Sequence, residues 1–263
     1  MIVVGELINM TRKAPREAWA RKDGGAIAAM AREQAEAGAD YIDVNSGVPG
    51  EEAACMEWLV RIVQETVSLP LCIDTTLPEA LEKALSLVNS PPLINSVSAE
   101  RERWSRFLPL FKGVSCRVVG LLVGDQGLPK SVADRLATAE FLIGKLREAG
   151  FQDEDIFLDP CVMPVSTDAQ AGAVFLQSLH ALRDRWPRTH RIAGLSNVSF
   201  GLPARAVLNR FFLALAMGAG MDAAILNPTD PQILQTLLAA ANLLGQDPYC
   251  RKYIQGFRKG LFA

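Results

Sequence analysis

The chain has 263 residues, 49% apolar and 21% charged, with a net charge of −2. That balance excludes a disordered chain, and it provides no general field for nucleic acid or an anionic membrane. The length fits two domains or one α/β barrel, and an eightfold division gives about 33 residues per unit, the size of a strand plus a helix.

The chain opens on Met1-Ile2-Val3-Val4-Gly5-Glu6, without the basic region and long apolar run of a secretion signal. A first strand is expected over residues 2–5. A helix over 25–37 follows, with Ile27, Met30, Ala31 and Gln34 at helical spacing and Gly38 as its C-cap. Strands then recur over 41–44, 71–73, 93–94, 117–122, 156–158, 192–195 and 223–226. Several are almost wholly apolar, as parallel strands buried on both faces are. Helical patterns fill the gaps, over 52–66, 78–88, 100–111, 132–149, 169–185, 203–217 and 231–244. Pro78, Pro203 and Pro231 sit near helix starts, where a missing N–H costs nothing. Eight strands alternating with eight helices, and no linker between them, predict one closed (β/α)8 TIM barrel spanning 1–263. A doubly wound open sheet is the runner-up. No run of 18 apolar residues occurs, and five scattered cysteines form no CxxC pair. A reduced, cytoplasmic protein is expected.

Barrel sites gather at the carboxyl ends of the strands. The residues there are Glu6, Asn45, Asp74, Asn95-Ser96, Asp159, Ser196-Asn197 and Asn227. Successive spacings of 39, 29, 21, 64, 38 and 30 lie mostly near one or two β–α units. Amides and carboxylates of this kind suit a neutral heterocycle rich in ring N–H and amide groups. No Lys stands at a strand end to form a Schiff base, and His180 and His190 lie in or after the sixth expected helix, away from metal-ligand positions. Three scattered carboxylates could still hold Mg²⁺, but no metal is expected. Any single Asp or Asn here could equally be a helix N-cap, Asp74 and Asn197 included. Seven in phase point to a shared mouth.

These motifs resemble the methyltetrahydrofolate:corrinoid protein methyltransferases of the pterin-binding barrel superfamily. The matching pieces are Gly5-Glu6-Leu7-Ile8-Asn9, Asp43-Val44-Asn45-Ser46-Gly47, Met56-Glu57-Trp58-Leu59-Val60, Leu71-Cys72-Ile73-Asp74-Thr75-Thr76 and Ile94-Asn95-Ser96. Further along come Ala99-Glu100-Arg101-Glu102, Leu158-Asp159-Pro160, Gly194-Leu195-Ser196-Asn197-Val198-Ser199 and Leu208-Asn209-Arg210. The resemblance spans Gly5 to about Arg258. It implies transfer of the N5 methyl group between a tetrahydrofolate and the cobalt of a corrinoid, in either direction. The positions matching the pterin-holding residues are Asp74, Asn95 and Asp159, with Asn197 near N5 as the catalytic group. Ser196 and Arg205 match further folate-site positions, and Glu6, Asn9 and Asn45 occupy corresponding places with a less defined role. The resemblance also implies a homodimer. Neither histidine fits the D-x-H-x-x-G loop of base-off cobalamin modules: Ser178 and Arg183 flank His180, and Arg188 and Ala193 flank His190. The corrinoid is therefore expected on a partner protein docked over the mouth, not held stably by this chain.

Three features depart from the pattern. Leu7 replaces a frequent Arg, Phe200 replaces a frequent Gln or Asn, and residues 10–16 are unusually basic. That segment reads as a solvated loop or as a contact for the folate tail or the partner. The alternatives are a dihydropteroate synthase-like enzyme and a non-catalytic folate-binding barrel. The former needs cations for a pyrophosphate, yet Ser196-Asn197-Val198-Ser199 is neutral. Gly218-Ala219-Gly220-Met221-Asp222-Ala223 matches GxGxxA but runs from helix to strand, the reverse of a dinucleotide fingerprint. Trp19, Trp58, Trp104 and Trp186 read as helix packing, and Cys72 and Cys161 as small buried hydrophobes.

Overall fold

The computed structural model describes residues 1–262. Eight parallel strands run around one barrel: β1 (Ile2–Asn9), β2 (Tyr41–Asn45), β3 (Leu71–Asp74), β4 (Leu93–Ala99), β5 (Arg117–Gly124), β6 (Ile156–Asp159), β7 (His190–Arg191) and β8 (Ala223–Leu226). β1 pairs with both β2 and β8. The ring closes between β7 and β8 through a Gly194–Ile225 bridge and an Ile225 N–H bond to the Ala193 carbonyl at 2.9 Å. That closure removes the open sheet. The fold is the (β/α)8 TIM barrel.

The helices are α1 (Lys13–Arg21), α2 (Gly24–Glu36), α3 (Glu52–Thr66), α4 (Pro78–Leu85), α5 (Arg101–Phe107), α6 (Val132–Glu148), α7 (Ala171–Arg185), α8 (Arg205–Gly218), α9 (Pro231–Leu243) and α10 (Arg251–Arg258). Local chemistry fixes their starts. Asp23 accepts the Ala26 N–H at 3.0 Å to cap α2, Ser131 and Asp134 form a capping box on α6, and Pro78 and Pro231 occupy first turns. Gly220, at φ 105°, supplies the turn from α8 into β8.

Three expectations need correction. Most of the basic 10–16 segment is not a loop: α1 begins at Lys13 and buries Pro15, Ala18 and Trp19 against the core. Its polar composition hid a narrow apolar stripe. A second unexpected helix, α10, follows β8 and α9. The seventh strand's ladder is His190–Arg191, earlier than the expected 192–195, of which Ala193 and Gly194 make only the closing contacts to Ile225; Leu195 opens a 3-10 turn, Leu195–Ser199.

Inside the barrel, Val4, Tyr41, Cys72, Leu93, Val119, Phe157, Ile192 and Ala223 form one packed layer. A larger apolar shell lies between strands and helices. Burying each large side chain of this kind contributes roughly 1.5–3 kcal/mol. Side chains alternate along a strand, so positions two beyond the interior layer also point inward, one level nearer the carboxyl end. From Val4, Cys72, Leu93 and Phe157 this rule reaches Glu6, Asp74, Asn95 and Asp159; from Tyr41 it reaches Asp43 and then Asn45.

β1 carries a register shift between Gly5 and Ile8. Gln34 of α2 fills the gap, its Oε1 accepting the Leu7 N–H at 2.9 Å. A Cβ on Gly5 would stand 2.5 Å from that oxygen, so the close approach requires glycine.

Candidate active site

The carboxyl ends of β2, β3 and β4 present an interlocked polar cluster. Asn45, Asp74 and Asn95 lie side by side in strand register. The Asn45 Nδ2 donates to Asp74 Oδ2 at 2.8 Å, while its own Oδ1 accepts the Gly47 N–H at 3.0 Å. Burial raises the Asp74 carboxyl above its ordinary range, opposed by the Asn45 hydrogen bond and the Arg103 guanidinium. Arg103 reaches in from α5 and donates to the Ser96 carbonyl at 3.0 Å. Helix capping does not explain Asp74: Leu77 caps α4, and the Leu77 N–H goes to Thr75 Oγ1.

Asp159 ends β6. Its Oδ1 accepts the Cys161 N–H at 2.8 Å, a bond that shapes the following turn while the carboxyl stays mostly desolvated. Burial pushes it up to about 6, against the lowering pull of Cys161 N–H and Arg135. Arg135 is itself only 2% exposed and donates from Nε to the Pro160 carbonyl at 2.6 Å, so α6 clamps this turn.

The β1, β7 and β8 ends form a third group around a cavity of about 400 Å³. Glu6, Arg12, Ser196, Arg205, Asn209 and Asn227 are among its lining residues. Glu6 forms an ion pair with Arg12. Burial raises the Glu6 carboxyl, with Arg12 and Arg205 opposing. Arg205 donates from Nη2 to the Ser196 carbonyl at 2.7 Å and from Nε to Ser199 Oγ at 3.0 Å. Ser199 in turn donates to Asn209 Oδ1 at 2.7 Å, bracing the Leu195–Ser199 turn against α8. Asn197 stands exposed on that turn, its carbonyl accepting the Phe200 N–H at 3.1 Å.

Two strand-end amides serve local turns instead. Asn9 Oδ1 accepts both the Thr11 N–H and hydroxyl, at 2.9 and 2.7 Å, and Asn227 does the same for Thr229. Sequence reasoning missed Asp43, Arg103 and Arg135. Asp43 follows Tyr41-Ile42 and precedes Val44, so it reads as a strand interior; the period-two step inward from Tyr41 is the signal that finds it. Arg12, in the segment expected to be a solvated loop or a contact, reaches Glu6 and the cavity.

Among the described residues no group of three or more His, Cys, Asp or Glu could hold a metal ion. His190 lies at the opposite end of the barrel, stacked on Phe157. A cavity of about 640 Å³ also opens there, among loops entering β3 to β6 and beside Arg117 and Tyr41. It contains none of the strand-end residues, and barrel chemistry belongs to the carboxyl face.

Residues 5–227 match the family described as pterin binding enzyme. Across 99% of its length, the chain is 37% identical to a methylcorrinoid:tetrahydrofolate methyltransferase of Eubacterium limosum and covers 97% of that protein. It is 28% identical, over 86% of its length, to a methionine synthase of Mycobacterium tuberculosis, of which it spans only 20%. A solved dihydropteroate synthase from Xanthomonas albilineans superposes with a TM-score of 0.66 at 23% identity, covering 92% of each chain, a likeness of fold. The fold, the strand-end polar ring and these matches agree: the chain belongs to the pterin binding enzyme family.

Proposed function

We propose that this chain is a methyltransferase that moves a methyl group from a methylcorrinoid, carried on a separate protein, to N5 of tetrahydrofolate. The observation that carries the reading is the likeness to the Eubacterium limosum methyltransferase over nearly the whole of both chains. The mouth supports it with a chemistry suited to a pterin ring: carboxylates to accept ring N–H and amino groups, amides to match adjacent donors and acceptors. In this reading Asp74, Asn95 and Asp159 hold the ring. Ser196 and Arg205 shape the neighbouring wall, with Glu6 and Asn45 in supporting places and Asn9 at the outer turn.

The docked corrinoid supplies the methyl group and takes back the bonding electron pair. The chain needs no nucleophile of its own, because the substrate amine is one. As N5 gains a fourth bond it becomes positive, and the Asn197 side-chain oxygen can accept a hydrogen bond from its N–H. Such a bond strengthens as charge develops, so it favours the transition state over the bound substrate. In reverse, the same contact stabilises a protonated N5 and makes the leaving group a neutral amine. The dihydropteroate synthase reading is disfavoured because the turn after β7 is neutral, and Arg205 is already bonded to Ser196 and Ser199.

Purified protein mixed with methyltetrahydrofolate and cob(I)alamin should discharge the Co(I) absorbance, and methylcobalamin with tetrahydrofolate should restore it. Folate binding without transfer in either direction would leave a non-catalytic barrel and overturn the proposal.

The protein as a homodimer belongs to the same reading. α9 (Pro231–Leu243) contains no Lys, Arg, Asp or Glu. Beside it, Val207, Phe211 and Leu215 lie at i, i+4 and i+8 on α8, and all are exposed; Phe211 is 67% exposed and Leu243 88%. An apolar stripe of this size suits a self-complementary interface. Phe211→Glu should halve the mass measured by sedimentation; an unchanged mass places the dimer elsewhere or removes it. Cytoplasmic residence is proposed from five unpaired cysteines. Among the described residues no helix is long and apolar enough to cross a membrane.

A further inference from the structure

We propose that the cavity between β1, β7 and β8 receives the aminobenzoyl-glutamate arm of the folate, and that Arg12 binds a glutamate carboxylate there and so sets a preference for folates over bare pterins. The inference rests on the pterin reading above. In tetrahydrofolate the arm is carried by C6, the ring atom bonded to N5. A ring that brings N5 to Asn197 therefore sends its arm out beside the turn after β7. The cavity of about 400 Å³ opens there, with Leu195 and Ser196 of that turn in its wall, and its volume is that of a small-molecule pocket. Leu195, Ile225, Leu226 and Ile233 give it an apolar side for an aryl ring, and Arg12 and Arg205 are the cations that line it.

Local structure brings Arg12 to this cavity. Asn9 Oδ1 holds Thr11 by two hydrogen bonds, and the Asn9 carbonyl accepts the Arg12 N–H at 2.9 Å, so the turn leaving β1 is pinned. The three cations of residues 10–16 then separate. Arg16 folds back and donates from Nε to the Met10 carbonyl at 3.0 Å. Lys13 stands 3.8 Å from Glu17 with its side chain in solvent. Of the three, only Arg12 lines the cavity.

The two arginines of the wall are not equally committed. Arg205 already spends Nη2 on the Ser196 carbonyl and Nε on Ser199 Oγ. Arg12 is held through Nη2 alone, by Glu6, and among the described residues its Nε and Nη1 have no acceptor. A planar guanidinium anchored at one nitrogen keeps donors for a second carboxylate. Asp230, the other acid in the wall, is turned to the first turn of α9, where it accepts the Gln232 N–H at 2.9 Å.

The test compares tetrahydrofolate with 6-methyltetrahydropterin, which has the ring and no arm, by calorimetry at pH 7. Arg12→Ala should bind tetrahydrofolate about tenfold more weakly, the loss of one charge-assisted hydrogen bond, and bind the pterin within about twofold of the wild type. Arg12→Lys keeps the charge and should recover most of the loss. Added salt should weaken tetrahydrofolate binding to the wild type more than to Arg12→Ala. Wild-type affinity for tetrahydrofolate in Arg12→Ala, or equal losses for both ligands, overturns the role. In the double variant Arg12→Ala with Glu6→Gln, the affinity ratio of the two ligands should stay shifted; its return to the wild-type ratio assigns the effect to a stranded Glu6 and also overturns the role. Asp74→Ala separates the two readings. Weakened binding of both ligands there keeps the pterin site even if Arg12 proves neutral, and unchanged binding of both removes the site and the role together.

Discussion

The two sides of the barrel mouth are built differently. Across β2, β3 and β4 the polar groups are interlocked: Asn45 is bonded to Asp74, and Arg103 to the Ser96 carbonyl. Across β7 and β8 the strand pairing is short, and a 3-10 turn that buries Leu195, Val198 and Ser199 leaves Asn197, and Phe200 just past it, open to solvent. The first side is arranged before any ligand arrives, and its buried carboxyls store desolvation cost that hydrogen bonds from a ring can offset. The second side leaves room for a large partner to approach. In the proposed reading, ring recognition draws on the β2–β4 side and methyl transfer on the turn after β7.

The largest way to sharpen this contrast is Asn197→Ala. Removing a group that acts on developing charge should lower methyl-transfer turnover by about 10²- to 10³-fold. Tetrahydrofolate affinity should change little, and equal losses in turnover and affinity would move Asn197 to the recognition side.

Asp159 gives the next effect, read as stability. Burial raises its folded-state value to about 6 from the ordinary 3.8. Between these values the folded protein binds more protons than the unfolded chain, so stability is greatest at the acid end and falls as pH rises through about 6. The shift corresponds to at most about 3 kcal/mol. Asp159→Asn should therefore remove a downward slope from pH 4 to 7 in thermal melts and exceed the wild type above pH 6. An identical slope in the variant assigns the cost to other carboxyls.

The smallest effect belongs to the Glu6–Arg12 pair, in which the Arg12 side chain is 42% exposed. Solvent screening limits such pairs to about 1 kcal/mol or less. Arg12→Ala should shift the melting midpoint only slightly. A large fall would make this corner as interlocked as the β2–β4 side.

How much of this was legible follows from where polar residues stand relative to strand ends. Asp74 and Asp159 each follow a short apolar run, so the strand and its terminal group are visible together. Asn197 was visible by motif, but its strand was misplaced, because Ile192-Ala193-Gly194-Leu195 reads as the strand while only His190–Arg191 holds ladder pairing against β6. Asp43 was passed over because the strand-end rule takes one residue per strand, whereas β2 contributes two inward levels. α1 escaped notice because Pro15, Ala18 and Trp19 bury a narrow face within an otherwise charged sequence. Arg103 and Arg135 reach the mouth from helices, and nothing in strand phase announces a side chain arriving from outside the sheet.

The closure between β7 and β8 carries a mechanical consequence. β7 pairs with β6 over only Phe157–His190 and Leu158–Arg191, and past Arg191 the seam to β8 hangs on the Ala193 carbonyl and one bridge. Of all the staves in the hoop, this is the one whose loosening breaks the fewest backbone bonds, so local opening costs least there. His190 and Arg191, both bonded to Asp222, rivet its lower end. The upper end, which carries Asn197, is held by side chains of α8 in place of strand pairing, through Arg205 on the Ser196 carbonyl and Ser199 on Asn209.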